Sequence, residues 1–113
     1  MTQYFDFENL QAYKQAKLSM QFVAARLRKL AGLPGKSGEQ LERAVLGAMT
    51  NTASGSSARG AEQKRQFRIA LTESSEAGSA IEAALAYGAF SQAEYEECRA
   101  ILLRQCACLR GLV

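Results

Sequence analysis

The sequence contains no histidine, no tryptophan and one proline. Without imidazole there is no histidine general base, no Ser-His or Cys-His nucleophile pair, and no histidine metal ligand. Cysteine is scarce too. Cys98, Cys106 and Cys108 are an odd number of thiols on one predicted helix, which is not a disulfide framework. They lack a partner pair that would complete a zinc ligand set. No run approaches 18 uninterrupted apolar residues, and the opening Met-Thr-Gln-Tyr-Phe-Asp-Phe-Glu lacks a basic segment followed by an apolar one. Neither a membrane helix nor a secretory signal is expected, and the cytoplasm is the expected compartment. Strand signals are missing as well: no stretch alternates with period two. What remains is 113 residues with 48% hydrophobic content, enough for one domain with a core. These absences argue against an enzyme, and no cofactor is expected.

Apolar spacing is helical from end to end. Leu10, Tyr13, Ala16, Met20, Val23, Leu27 and Leu30 step by threes and fours along one face. They predict a first helix of roughly 25 residues, about 37 Å long, with Asp6 at the N-cap. Gly32, Pro34 and Gly35 end it. Ser37 to Gln40 has capping-box spacing and predicts the second helix, whose apolar positions are Leu41, Val45, Ala48 and Thr52. This helix is expected to be the shortest and to end near Gly55, with Ser54–Gly60 as a small polar loop. The third helix is expected from Ala61 to Tyr87-Gly88, carrying Phe67, Leu71, Ser74, Gly78, Ile81 and Leu85, with Ala70, Ala77 and Ala84 alongside. Ser91 to Glu94 is a second capping box and opens a fourth helix through Cys98, Leu102, Gln105 and Leu109. Four helices with short connections predict an all-α, antiparallel up-down-up-down four-helix bundle, one domain over residues 1–113.

An ordered series of short motifs follows the same helices. Phe7-Glu-Asn-Leu10-Gln-Ala-Tyr13, Leu33-Pro34, Gln40-Leu41-Glu-Arg43-Ala44, Asn51-Thr-Ala53-Ser-Gly55, Phe67-Arg-Ile-Ala70-Leu71 with Glu76, and Tyr87-Gly88 with Glu94-Tyr95 occur in that order. In this series the chain resembles the four-helix-bundle proteins encoded by intervening sequences in bacterial 23S ribosomal RNA genes. It is similar also to their stand-alone relatives and, more distantly, to the accessory variability proteins of diversity-generating retroelements. Ser54 replaces an acidic residue of the family pattern, Thr72-Glu73 replaces Gly-Ser, and Gly47-Ala48 replaces Ser-Ile. The resemblance implies a four-helix bundle and a homo-oligomer, in that family a pentamer. It implies a role in nucleic-acid contact or partner docking. It marks Arg43, Asn51, Gly55 and Glu76 as motif positions.

The formal charge is only +3, but residues 10–72 carry +8 and residues 73–113 carry −3. The densest basic cluster is Arg59, Lys64, Arg65 and Arg68 at the start of the third helix. Cations there oppose the macrodipole at a cost of about 0.3–1 kcal/mol each, so helix stability does not account for them. One reading is phosphate contact with RNA, DNA or another polyanion, which makes RNA, DNA or a nucleic-acid enzyme the expected partner; the other is a solvated face or ion pairs with a neighbouring subunit. Phe67 is the only aromatic residue among them and belongs to the core pattern, so base stacking, and hence sequence-specific reading of a single strand, is not expected. Arg26, Arg28 and Lys29 fall where a helix C-terminus favours cations. Glu94, Glu96 and Glu97 suit a helix N-terminus, and nothing pairs them across a catalytic cleft. Glu73 and Glu76 lack the histidine of a di-iron bundle motif, and a buried Glu76–Arg43 pair is expected instead. Asn51 is expected to hydrogen-bond across the bundle or to the following loop. The cysteines are expected to act as small buried hydrophobes. Ala70, Ala77, Ala84, Gly78 and Ala80 form a small-residue edge that suggests a further helix from another copy. The expected function is a non-enzymatic, homo-oligomeric scaffold or adaptor that contacts RNA or DNA through its basic edge. A protein–protein module with no nucleic-acid role is the alternative.

Overall fold

A computed structural model describes residues 3–113; Met1 and Thr2, part of the opening read for a targeting signal, lie outside it. The described residues are helical with no strand. Five α-helices follow a 3₁₀ turn at Asp6–Asn9: α1 (Gln11–Ala24), α2 (Leu27–Leu30), α3 (Ser37–Ser57), α4 (Gly60–Ala86) and α5 (Gln92–Arg110). Each of the four long helices packs on two others: α1 on α3 and α5, and α4 on α3 and α5. No helix is long and apolar enough to cross a membrane among the described residues.

The buried positions are those that helical spacing selects. Leu41, Val45, Ala48 and Thr52 line the inner face of α3, and Cys98, Leu102, Gln105 and Leu109 that of α5. One apolar cluster joins Phe22, Val23, Leu41, Val45, Ile81, Phe90 and Leu102. The Phe22 and Phe90 rings meet edge to face at 5.6 Å, a geometry worth about 0.5–1.5 kcal/mol beyond area burial. A second cluster holds Ala12, Phe67, Ala70 and Leu109. Between them lies a buried polar layer. Ser19 Oγ donates to Gln105 Oε1 at 2.7 Å, and Gln105 Nε2 donates to Ser74 Oγ at 2.7 Å.

Several local expectations need correction. The first helix is broken after Ala24, where Arg26 leaves helical geometry (φ −122°, ψ 17°). Its guanidinium lies 3.5 Å above the Phe22 ring, donates to the Phe22 carbonyl and reaches Glu94 on α5. The break turns Leu27 outward, and α1, at 14 residues, is the shortest of the long helices in place of the second. Asp6 starts the 3₁₀ turn and does not cap α1, whose N-cap residue is Leu10. The Ser37 box does not form: the helix runs on from a turn through left-handed Gly35 and Lys36, and Ser37 Oγ donates back to the Pro34 carbonyl. Residues 54–57 are helical, leaving only Ala58 and Arg59 between α3 and α4.

Other expectations hold. Tyr87 caps α4 and Gly88 follows with φ +76°, the left-handed residue that ends a helix. The Ser91–Glu94 capping box is complete in both directions. The alanine edge is present, but Ala70, Ala77 and Ala84 are fully buried within this chain. Internal packing takes up these three alanines, while Gly78 and Ala80, the rest of the small-residue edge, are only half-buried.

Candidate nucleic-acid interface

The basic cluster is built on a braced corner. Gly55 ends the inner face of α3 directly beneath Phe67, and a Cβ there would come within 2.7 Å of that ring. Glycine therefore sets how closely the two helices approach at this point. Gln63 Nε2 donates to the carbonyls of Gly55 and Ala58, both at 2.9 Å, and ties the first turn of α4 to the last turn of α3. Nothing in the sequence pattern had singled out Gln63. Arg59 is the N-cap residue of α4, and Lys64, Arg65 and Arg68 follow in its first turns, all exposed. Arg65 pairs with Glu62 at 3.2 Å across open solvent, worth well under 1 kcal/mol. Arg59, Lys64 and Arg68 take part in no ion pair among the described residues. The four predicted cations thus share one end of α4, facing solvent and three-quarters unneutralised.

The motif positions separate into two groups. Gly55 belongs to the corner. Arg43, Asn51 and Glu76 gather around Glu73 in the seam between α3 and α4. Asn51 Nδ2 donates to Glu73 Oε1 at 2.7 Å and to the Gly47 carbonyl at 3.0 Å, which is the cross-bundle bond expected of it. Glu73 is pushed above the usual carboxylate range by burial, an effect that the Asn51 bond opposes and the nearby Glu76 charge reinforces. Arg43 and Glu76 border the same cleft of about 430 Å³ with Gln40 and Ser79. Both are exposed and form no ion pair among the described residues, so the expected buried Glu76–Arg43 pair is not there. Glu73, the partly buried acid of the seam, takes the place assigned to Glu76. A shallower groove of about 440 Å³ runs from Arg65 and Arg68 past Thr72 to the same Glu73 and Glu76.

Arg26 and Lys29, which do lie at the C-terminal ends of α1 and α2, also converge on Glu94. Arg26 Nε lies 2.7 Å from Glu94 Oε2 and Lys29 Nζ 2.9 Å from it. The Glu94 carboxyl also accepts from the Ser91 backbone, and together these bonds hold its pKa down at about 2. Cys98 and Cys106 are buried, and burial pushes the Cys98 thiol up to about 12 and the Cys106 thiol upward. Neither forms a thiolate near neutral pH. No group of three or more acidic or cysteine side chains converges on a point that could hold a metal ion among the described residues.

Folding also redistributes the charge. Taking the Ser19–Gln105–Ser74 layer as the divide, residues 3–18, 50–73 and 106–113 lie on the side of the Phe67 cluster and carry seven Lys/Arg and four Asp/Glu. Residues 19–49 and 74–105 carry seven of each. One end is net +3 and the other has no net charge. Compared with family models, curated proteins and solved structures, the chain finds no match.

Proposed function

We propose that this chain is a non-enzymatic, antiparallel up-and-down four-helix bundle. Its net-positive end binds the phosphate backbone of RNA or DNA, and it serves as a scaffold or adaptor. The observation that carries the reading is the basic end of α4: four exposed cations on a braced corner, only one of them neutralised among the described residues. A solvated face needs no such concentration, and the macrodipole disfavours it. The helix contacts support the up-and-down order. Asn51 meets Glu73 and Gly55 meets Phe67, so α3 and α4 run in opposite senses; Gln15 meets Arg104 and Arg26 meets Glu94, so α1 and α5 do too.

The resemblance to the 23S intervening-sequence proteins supports a homo-oligomer, and we take the pentamer of that family as the assembly. A ring would repeat the basic end of each subunit about one axis and make a weak patch multivalent. Two departures from the family pattern lie in contact here, because the Glu73 carboxylate occupies the space over Gly47 that a side chain would fill. That pairing gives the α3–α4 seam a chemistry of its own. It favours, as a second reading, a protein-docking module that uses the cleft around Arg43 and Glu76 with no nucleic acid involved.

Binding of labelled RNA and duplex DNA across a salt series separates the two readings. Phosphate contact predicts an affinity that falls steeply with salt, and a smaller slope in the Lys64→Ala, Arg65→Ala double variant. No binding at low salt would leave the protein-docking reading. Light scattering that shows a monomer at micromolar concentration would remove the ring.

A further inference from the structure

The net-positive end carries a second feature that the basic cluster does not use. Phe5 and Phe7 stack with ring centroids 5.3 Å apart and planes within 4°, and Phe7 packs on Tyr13 at 4.5 Å. Phe7 and Tyr13 are half-buried in this ladder, while Phe5 is 69% exposed and Tyr4 65% exposed. Tyr4 and Phe5 are consecutive and both exposed, whereas Phe22, Phe67 and Phe90 are buried; Tyr87, at 67% exposed, is an isolated ring at the far end of α4. Beside them is a cleft of about 430 Å³ lined by Tyr4, Glu8, Asn9, Tyr13, Lys14 and Lys17. The two lysines stand one helical turn apart on α1, and neither is in an ion pair among the described residues. The 3₁₀ turn that carries the aromatic residues packs on α3, the helix that leads into the basic corner.

We infer that this end takes single-stranded nucleic acid in preference to duplex, with a base stacked on the open face of Phe5 and the backbone held by Lys14 and Lys17. A duplex keeps its bases stacked on each other and offers no free face to Phe5. A single strand offers one at every nucleotide, and aromatic stacking is sequence-tolerant. Asp6 and Glu8 lie in the same segment and oppose phosphate locally. The surrounding end nevertheless remains net positive, so attraction prevails at the scale of several nucleotides. The inference rests on the phosphate-binding reading and narrows its substrate class.

The test is fluorescence anisotropy with a labelled oligo(dT), an oligo(rU) and a DNA duplex of equal length, at low salt, on the full chain. The single strands are expected to bind more tightly than the duplex. Tyr4→Ala with Phe5→Ala is expected to weaken single-strand binding on the order of 5- to 100-fold, with the duplex almost unmoved. Phe5→Trp is expected to retain it, and circular dichroism to show that all variants stay folded. Lys14→Ala with Lys17→Ala is expected to lower the salt slope of single-strand binding. If single strand and duplex bind equally and ignore the aromatic variants, the inference is overturned while the phosphate reading stands. If neither binds at low salt, both fall. If the aromatic variants change only the oligomeric state, Tyr4 and Phe5 meet another copy of this chain and the inference is likewise overturned.

Discussion

Replacing Glu94 with glutamine isolates one charge at the junction of three elements. The carboxylate receives Arg26 from the break after α1, Lys29 from α2 and the backbone of Ser91 at the start of α5. Glutamine serves as well as glutamate in a capping box, so the substitution spares the cap and removes the ion pairs. A carboxyl held at about 2 instead of 4.5 would correspond to about 3.4 kcal/mol if fully expressed in stability. The group is not deeply buried. Side-chain exposures are 16% for Glu94, 24% for Arg26 and 54% for Lys29, and glutamine keeps the Ser91 bond, the largest cause of the shift, so screening and the retained cap reduce the figure to about 0.5–1 kcal/mol. Urea unfolding followed by circular dichroism at pH 7 should show that loss for Glu94→Gln. Glu94→Ala should lose about 0.5–1 kcal/mol more, from the broken cap. The folded pKa lies below the unfolded one, so this stabilisation is fully present above pH 4.5 and lost as pH falls towards 2. Wild-type stability should therefore drop more steeply than that of Glu94→Gln across that window. Equal stability at pH 7, or parallel pH profiles, would refute the reasoning.

Gly55→Ala forces a methyl group against the Phe67 ring and should cost about 1–3 kcal/mol in thermal or urea unfolding, the range for overpacking. Gln105→Leu removes two hydrogen bonds, but Ser19 and Ser74 keep the carbonyls of Ala16 and Ala70 as acceptors. The loss should stay near 1–2 kcal/mol, because no serine hydroxyl is left without a partner. With a thiol reagent at pH 8, half-buried Cys108 should react first, and buried Cys98 and Cys106 only as the chain unfolds.

What the sequence disclosed was mostly local. The Ser91–Glu94 box and the Tyr87-Gly88 stop were legible because each is made within a few residues. Ser37 carried the same signature, yet the left-handed turn before it feeds straight into the helix and its hydroxyl turns back to Pro34. The break at Arg26 was hidden because neither glycine nor proline marks it; a bond to Glu94, 68 residues away, draws the arginine out. Ser54–Ser57 reads as a loop by composition, but the segment is helical and Gly55 packs beneath Phe67, where a side chain would clash. The exposed basic cluster was legible directly. Glu73 was not, because its importance lies in the cross-helix bond to Asn51 and the room left by Gly47. The charge map along the chain also misled in part. The cations of residues 26–43 fold back to the opposite end, where acidic residues balance them, and the positive end gathers charge from three separate segments.

The central claim is that nucleic acid is held by one end of the bundle and by the charge gathered there. Charge reversal at each end tests it most directly. Lys64→Glu with Arg65→Glu alters the positive end, and Arg28→Glu with Arg99→Glu removes the same charge from exposed positions at the other. The account predicts that, at one fixed low salt concentration, the first pair abolishes RNA binding and the second leaves it within a few-fold of wild type. Equal losses from both pairs would mean that only net charge matters and would contradict the account.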